Sequence, residues 1–223
     1  MTTQTNRTAS IGRDDLCDPR TAPDYLPPPP APVAWEDFLD WLDEDVHAEW
    51  VDGEIVEMSP ATDEHQRLAG FLYILLTLFV QRHGLGEVFQ APFRMRLPSR
   101  PSGREPDVLF INDAHADRVT HTFVNGPADL VIEVVSPESV SRDLGEKLAE
   151  YEHAGVPEYW VVDPLHGDER FYQLGDDGRY RMGVVDEDGI YTSRAVPGFR
   201  LRVAWLRQRP LPTVDAALAE LAG

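Results

Sequence analysis

The sequence predicts a mixed α/β domain built on a central sheet, in the order helix, three strands, helix, strand. Three observations carry this. Residues 64–83 hold a long, largely apolar helical stretch that ends at a glycine. The run DLVIEVV (129–135) is apolar at nearly every position, as expected of a strand covered on both faces. A second helix, at about 141–154, separates that run from another apolar strand, EYWVVDP (158–164).

Residues 1–34 are polar and then proline-rich (PDYLPPPPAPVAW), too poor in buriable surface to offset the entropy of ordering, and are expected to be disordered or extended. Residues 35–223 are expected to form one domain. Its first element is WEDFLDWL, with apolar residues at 35, 38, 39 and 42 as in a short amphipathic helix. HAEWVDGEIVEMS then alternates around Asp52-Gly53, a dipeptide suited to a two-residue hairpin turn. Thr62 with Asp63 offers the N-cap of the long helix, and Gly84 its end. The strands EVFQAPFRMRL (87–97), PDVLFI (106–111) and DLVIEVV follow, then the helix closed by Gly155, then EYWVVDP. ERFYQLGDDGRYRMGVV reads as a hairpin about Asp177-Gly178, and FRLRVAWL as a late strand with an exposed edge that suits a homodimer.

Composition removes several classes of function. The longest apolar run, FLYILLTLFV (71–80), falls short of the roughly 20 residues of a membrane span, and polar residues flank it, so it reads as a buried helix with no membrane partner. The N-terminus lacks the apolar core of a secretory signal, and a cytoplasmic location is expected. One cysteine, Cys17, permits neither an internal disulfide nor a thiolate zinc cage. No Gly-rich phosphate loop or Gly-x-Ser-x-Gly elbow is present. The net charge of −19 argues against a generic nucleic-acid coat. That charge is uneven: residues 35–64 carry twelve acids and no Lys or Arg, whereas Arg82, Arg94, Arg96, Arg100 and Arg104 face Glu87 alone over 81–104. Either both are solvated faces, or a polyanion uses the second while avoiding the first.

Glu133 stands out because it lies inside an apolar strand, where an unpartnered carboxylate costs several kcal/mol. It emerges at the strand end, pairs with an arginine, or binds a metal ion. Asp107 opens PDVLFI behind a proline. If the two strands are neighbours, both carboxylates converge at one end of the sheet. Two oxygen ligands with water-filled positions suit Mg²⁺ or Mn²⁺ better than zinc. Asp143, Lys147 and Tyr151, at i, i+4 and i+8, share one helix face. Lys147 is the only lysine beside 19 arginines. It either makes an ordinary surface pair or reaches Glu133, where an ammonium orients water, stabilises phosphate charge, or loses a proton if its pKa is lowered, a role closed to arginine.

These residues, together with the blocks VDGEIVEMSPATDEHQR, GEVFQAPFRMRL, EPDVLFI, GPADLVIEVVSPES and GVPEYWVVDP, resemble the Uma-type family of predicted endonucleases. That family is a branch of the PD-(D/E)XK restriction-endonuclease-like superfamily, and the likeness runs from about Glu49 to Leu174. The resemblance implies a restriction-endonuclease-like core and a metal-dependent nuclease, with Asp107 and Glu133 as catalytic metal ligands. The superfamily's usual lysine position, two residues after the second acid, holds Val135 here, and the resemblance gives the role to the helix residue Lys147. It also implies a further group near the first helix. Glu54 and His65 are the candidates, each either completing the metal shell or serving only to pair and cap.

Two functions follow as expectations. One is an endonuclease that hydrolyses phosphodiester bonds, of DNA, with Mg²⁺ or Mn²⁺. The other is a non-catalytic nuclease-like module that binds nucleic acid or protein, with the acidic 35–64 segment as its surface.

Overall fold

The computed structural model describes residues 26–42, 46–58, 61–136, 139–164 and 166–221. Most of the proline-rich lead-in expected over 1–34 lies outside the described residues, as does Cys17; residues 26–34 form no helix or strand, and Val33 is buried.

The first folded element is α1 (Trp35–Trp41), which buries Trp35, Phe38 and Trp41 as its spacing requires. The hairpin β1 (Ala48–Val51) and β2 (Glu54–Glu57) turns at Asp52 and Gly53, both at positive φ. Such φ values are what a two-residue turn matched to strand twist demands. The long helix α2 (Asp63–His83) is capped by the Thr62 side chain, which accepts from His65 N at 3.2 Å, and is closed by Gly84 in the left-handed region.

The predicted strand 87–97 is two strands. β3 (Gly86–Gln90) and β4 (Arg94–Leu97) belong to different sheets, because Pro92 offers no ladder donor and the chain leaves one sheet for the other there. β5 (Ser102–Arg104) and β7 (Phe123–Asn125) join β1, β2 and β4 in a small five-stranded sheet; both are three-residue strands too short to show a periodicity. The main sheet has six strands in the order β11-β10-β9-β8-β6-β3. Its members are β6 (Val108–Asn112), β8 (Leu130–Val134), β9 (Glu158–Asp163), β10 (Asp168–Leu174) and β11 (Tyr180–Met182), with β3 at the edge.

Between β8 and β9 the chain makes a π-helical turn, Arg142–Glu146, and then α3 (Lys147–Ala154), capped by Gly155. This crossover lets β8 and β9 pair in parallel, whereas β6 pairs with β8 antiparallel. Side chains alternate across the sheet. Leu130, Ile132 and Val134 of β8 join α2 in one core, while Val131 and Val135 join Tyr151 of α3 in the other. Glu133 therefore lies on the α3 face. Trp35, Phe38, Trp41 and Trp50 form a third core beside the small sheet.

FRLRVAWL is only briefly a strand. β13 (Arg200–Arg202) pairs with β12 (Ile190–Thr192), and a 3-10 turn follows at Val203–Arg207, with Leu201, Trp205 and Leu206 buried against α2 and the main sheet. A C-terminal helix, α4 (Val214–Leu221), packs on α2. No described helix is long and apolar enough to cross a membrane.

Candidate active site

Asp107 sits one residue before β6, and Glu133 lies in the neighbouring strand β8. Val134 N–H donates to Asp107 Oδ2 at 2.6 Å, which fixes the aspartate against the strand that carries Glu133. His65 Nε2 lies 3.1 Å from the same oxygen, so the first turn of α2 reaches the site. Glu133 is 4% exposed, and its Oε1 accepts from Lys147 Nζ at 2.9 Å and from Tyr151 O–H at 3.0 Å. These bonds engage one oxygen of each carboxylate, Oδ2 of Asp107 and Oε1 of Glu133.

The helix supplies three residues on one face. Asp143, Lys147 and Tyr151 are all buried, as their spacing predicts. Asp143 lies in the π-helical turn, a local widening that often accompanies functional positions. Its Oδ1 is 3.6 Å from Lys147 Nζ and has no hydrogen-bond partner. The surface-pair alternative for Lys147 is excluded, because the residue is 2% exposed.

One participant was not singled out in the sequence. Glu49 of β1 is 0% exposed, and its Oε1 lies 3.0 Å from Lys147 Nζ. Its Oε2 accepts from Arg104 Nη1 at 2.9 Å. The signal was present: Glu49 is an acid between Ala48 and Trp50-Val51 in a strand, the same anomaly that Glu133 shows, but it sits within a run of twelve acids. Glu54, at the start of β2, is exposed, and no contact among the described residues ties it to the site.

Electrostatics follow from crowding. Burial lowers the Lys147 ammonium, but Glu133, Glu49 and Asp143 outweigh it and hold the group above its ordinary value. Burial pushes the Glu133 carboxyl well above the usual carboxylate range; Lys147 opposes this, and Asp143, Asp107 and Glu49 add to it. Burial also raises Asp143, against the pull of Lys147. Glu49 goes the other way. Burial would raise it, yet Lys147 and Arg104 bring it down to about 2. Burial and the nearby Glu133 charge push the Tyr151 phenol up, so it remains a hydrogen-bond donor. For His65, burial lowers the imidazole, while Asp107 and Asp143 bring it above its ordinary value overall.

The donor set fits a hard cation. Among the described residues no three His, Cys, Asp or Glu side chains surround a single metal position, so a closed zinc-type cage is absent there. Asp107 and Glu133 present oxygen donors near the buried Asp143 Oδ1, which makes no hydrogen bond, an excess of acid over the one ammonium. Mg²⁺ and Mn²⁺ bind in such places through one or two carboxylates and keep several waters.

The arginine-rich segment is largely spent within the domain. Arg94 pairs with Glu105, Arg100 with Asp52, and Arg104 with Glu49, Glu146 and Glu150. Arg96 lies over the Trp35 ring at 5.2 Å. The acidic and basic segments thus neutralise each other in part, and neither is simply a solvated face.

Residues 35–204 match the family model Uma2, described as "Putative restriction endonuclease". An uncharacterized protein of Synechocystis sp. is 27% identical over 159 residues, covering 69% of this chain and 81% of its own length. The crystal structure of a protein from Anabaena variabilis, described as a putative nuclease belonging to DUF820, has a similar fold. The two superpose with a TM-score of 0.67 at 14% identity, covering 79% of this chain and 98% of that one.

Proposed function

This chain belongs to the Uma2 family of putative restriction endonucleases, and from that membership we propose that it is a divalent-metal-dependent endonuclease that hydrolyses phosphodiester bonds of DNA. The observation that carries the reading is a single contact. Buried Glu133 meets the chain's only lysine at 2.9 Å, at the place where Val134 N–H ties Asp107 to the same strand.

Asp107 and Glu133 are the proposed metal ligands. Mg²⁺ or Mn²⁺ bound there supplies Lewis acidity toward the scissile phosphate and the attacking water. Lys147 is held by three carboxylates, which favour its charged form, and its part is to orient water and to stabilise charge on the phosphate oxygens. Tyr151 O–H and Lys147 together fix the Glu133 side chain. His65 and Val134 N–H fix Asp107, which makes His65 an orienting partner of that carboxylate.

Calorimetric titration with Mn²⁺, run beside cleavage of supercoiled and single-stranded DNA, tests the proposal. Wild type is expected to bind Mn²⁺ and to nick DNA only in its presence, and Asp107→Ala to do neither. Divalent binding that survives Asp107→Ala, or no divalent binding at all, refutes the metal site. DNA binding without cutting in Mn²⁺ favours the non-catalytic module, the reading that the net charge of −19 recommends.

A further inference from the structure

A lysine side chain has four rotatable carbons and a compact charge, so an active-site ammonium needs partners on more than one side to hold one position. Lys147 has Glu133 on the main sheet and Asp143 on its own helical segment. The third side is closed by Glu49, which comes from the small sheet.

Glu49 is itself held. Glu105 N–H donates to its Oε1 at 3.2 Å and Arg104 Nη1 to its Oε2 at 2.9 Å. Arg104, 1% exposed, is anchored in turn to the segment that carries Lys147, through Glu146 Oε1 at 2.6 Å and Glu150 Oε2 at 2.5 Å. The small sheet therefore grips both the helix and the ammonium that projects from it. A carboxylate between two cations in a buried setting stays ionised, and its strongly lowered pKa accords with that.

We propose that Glu49 is the positioning residue of Lys147: its Oε1, at 3.0 Å, shares the ammonium with Glu133 Oε1, at 2.9 Å, and fixes Nζ beside that carboxylate. The catalytic consequence rests on the endonuclease reading above; the hold on the ammonium does not. It also gives the small sheet a part in the site, because the strand that carries Glu49 belongs to that sheet.

The test uses the fact that Lys147 is the only lysine. Lysine-selective ¹⁵N labelling of the full chain gives one side-chain Nζ resonance, which reports the hydrogen bonding of the ammonium and its exchange with water. In Glu49→Gln that resonance is expected to shift and to exchange faster, and kcat for DNA cleavage to fall about 10- to 100-fold with KM unchanged, as for loss of other orienting partners. Glu220→Gln serves as the control, because it breaks an exposed pair with Arg202 and touches neither Lys147 nor the groups that hold it, and should leave the resonance in place. If Glu49→Gln does not fold, Glu49→Asp, which keeps the charge but shortens the reach, is expected to shift the resonance in the same direction. An unmoved resonance in the folded variant overturns the proposal, and so does a shifted resonance with unchanged kcat in an active wild type. A wild type that never cleaves DNA defeats the endonuclease reading alone, since the resonance still decides whether Glu49 holds Lys147.

Discussion

Lys147 takes its character from its surroundings. An ammonium with 2% exposure among Glu49, Glu133 and Asp143 is a fixed charge, and its small volume matters as much as its sign. A guanidinium in its place keeps the charge but needs a planar fork of donors and more room. Lys147→Arg is therefore expected to destabilise the domain by about 1–3 kcal/mol, the usual cost of overpacking a buried site. On the proposed endonuclease reading, DNA cleavage should fall by at least tenfold, in line with a displaced orienting group. Urea unfolding and a nicking assay check the two parts, and full activity in that variant removes Lys147 from the mechanism. At this scale Glu133, Asp107 and the face Asp143–Lys147–Tyr151 were legible, because a charge in an apolar strand and an i, i+4, i+8 spacing are local features. The role of Glu49 was not, since its partner Arg104 lies 55 positions away.

Among the elements, the small sheet and its cap depend on close packing against Trp35. A Cβ on Gly103 in β5 would overlap the Trp35 ring, whose neighbours Phe38, Trp50 and Phe123 leave it no room to yield. Gly103→Ala should cost about 1–3 kcal/mol. Gly70, within α2, faces open space: a Cβ added there would meet nothing within 4 Å, so Gly70→Ala should stabilise by about 0.5–1 kcal/mol through helix propensity. Thermal melting of the two variants tests the contrast; shifts of the same sign would contradict it. The long helix and its caps were readable because capping and periodicity are written within a few residues of each end. The division of residues 87–97 between two sheets was not readable, because alternation continues across Pro92 while the pairing partners change.

For the molecule as a whole, charge sets the response to acid. At −19 the folded chain repels itself, so acidification from neutrality should first raise its stability. Glu49 works in the opposite direction at lower pH. Its folded pKa of about 2 lies below the ordinary 4.5, so its contribution is present above 4.5 and is lost as pH falls from 4.5 toward 2. The loss is on the order of 3 kcal/mol. Urea unfolding across a pH series without divalent ions should show a maximum on the acid side of neutrality. Glu49→Gln should flatten the fall below pH 4.5, and an unchanged fall would assign it to other carboxylates.

The sequence by itself determined the mixed fold, the long capped helix, the buried strand with its acid and the helix that presents the only lysine, because each is encoded in residues close together in the chain. The tertiary structure alone decided that Glu49, held by Arg104, closes the third side of that lysine, that the basic segment is largely spent on contacts within the domain, and that the apparent late strand is mostly core. Those outcomes depend on which strands become neighbours. Long-range burial fixes that pairing by taking Glu49, Arg104 and Lys147 out of water and leaving them opposite charges as partners.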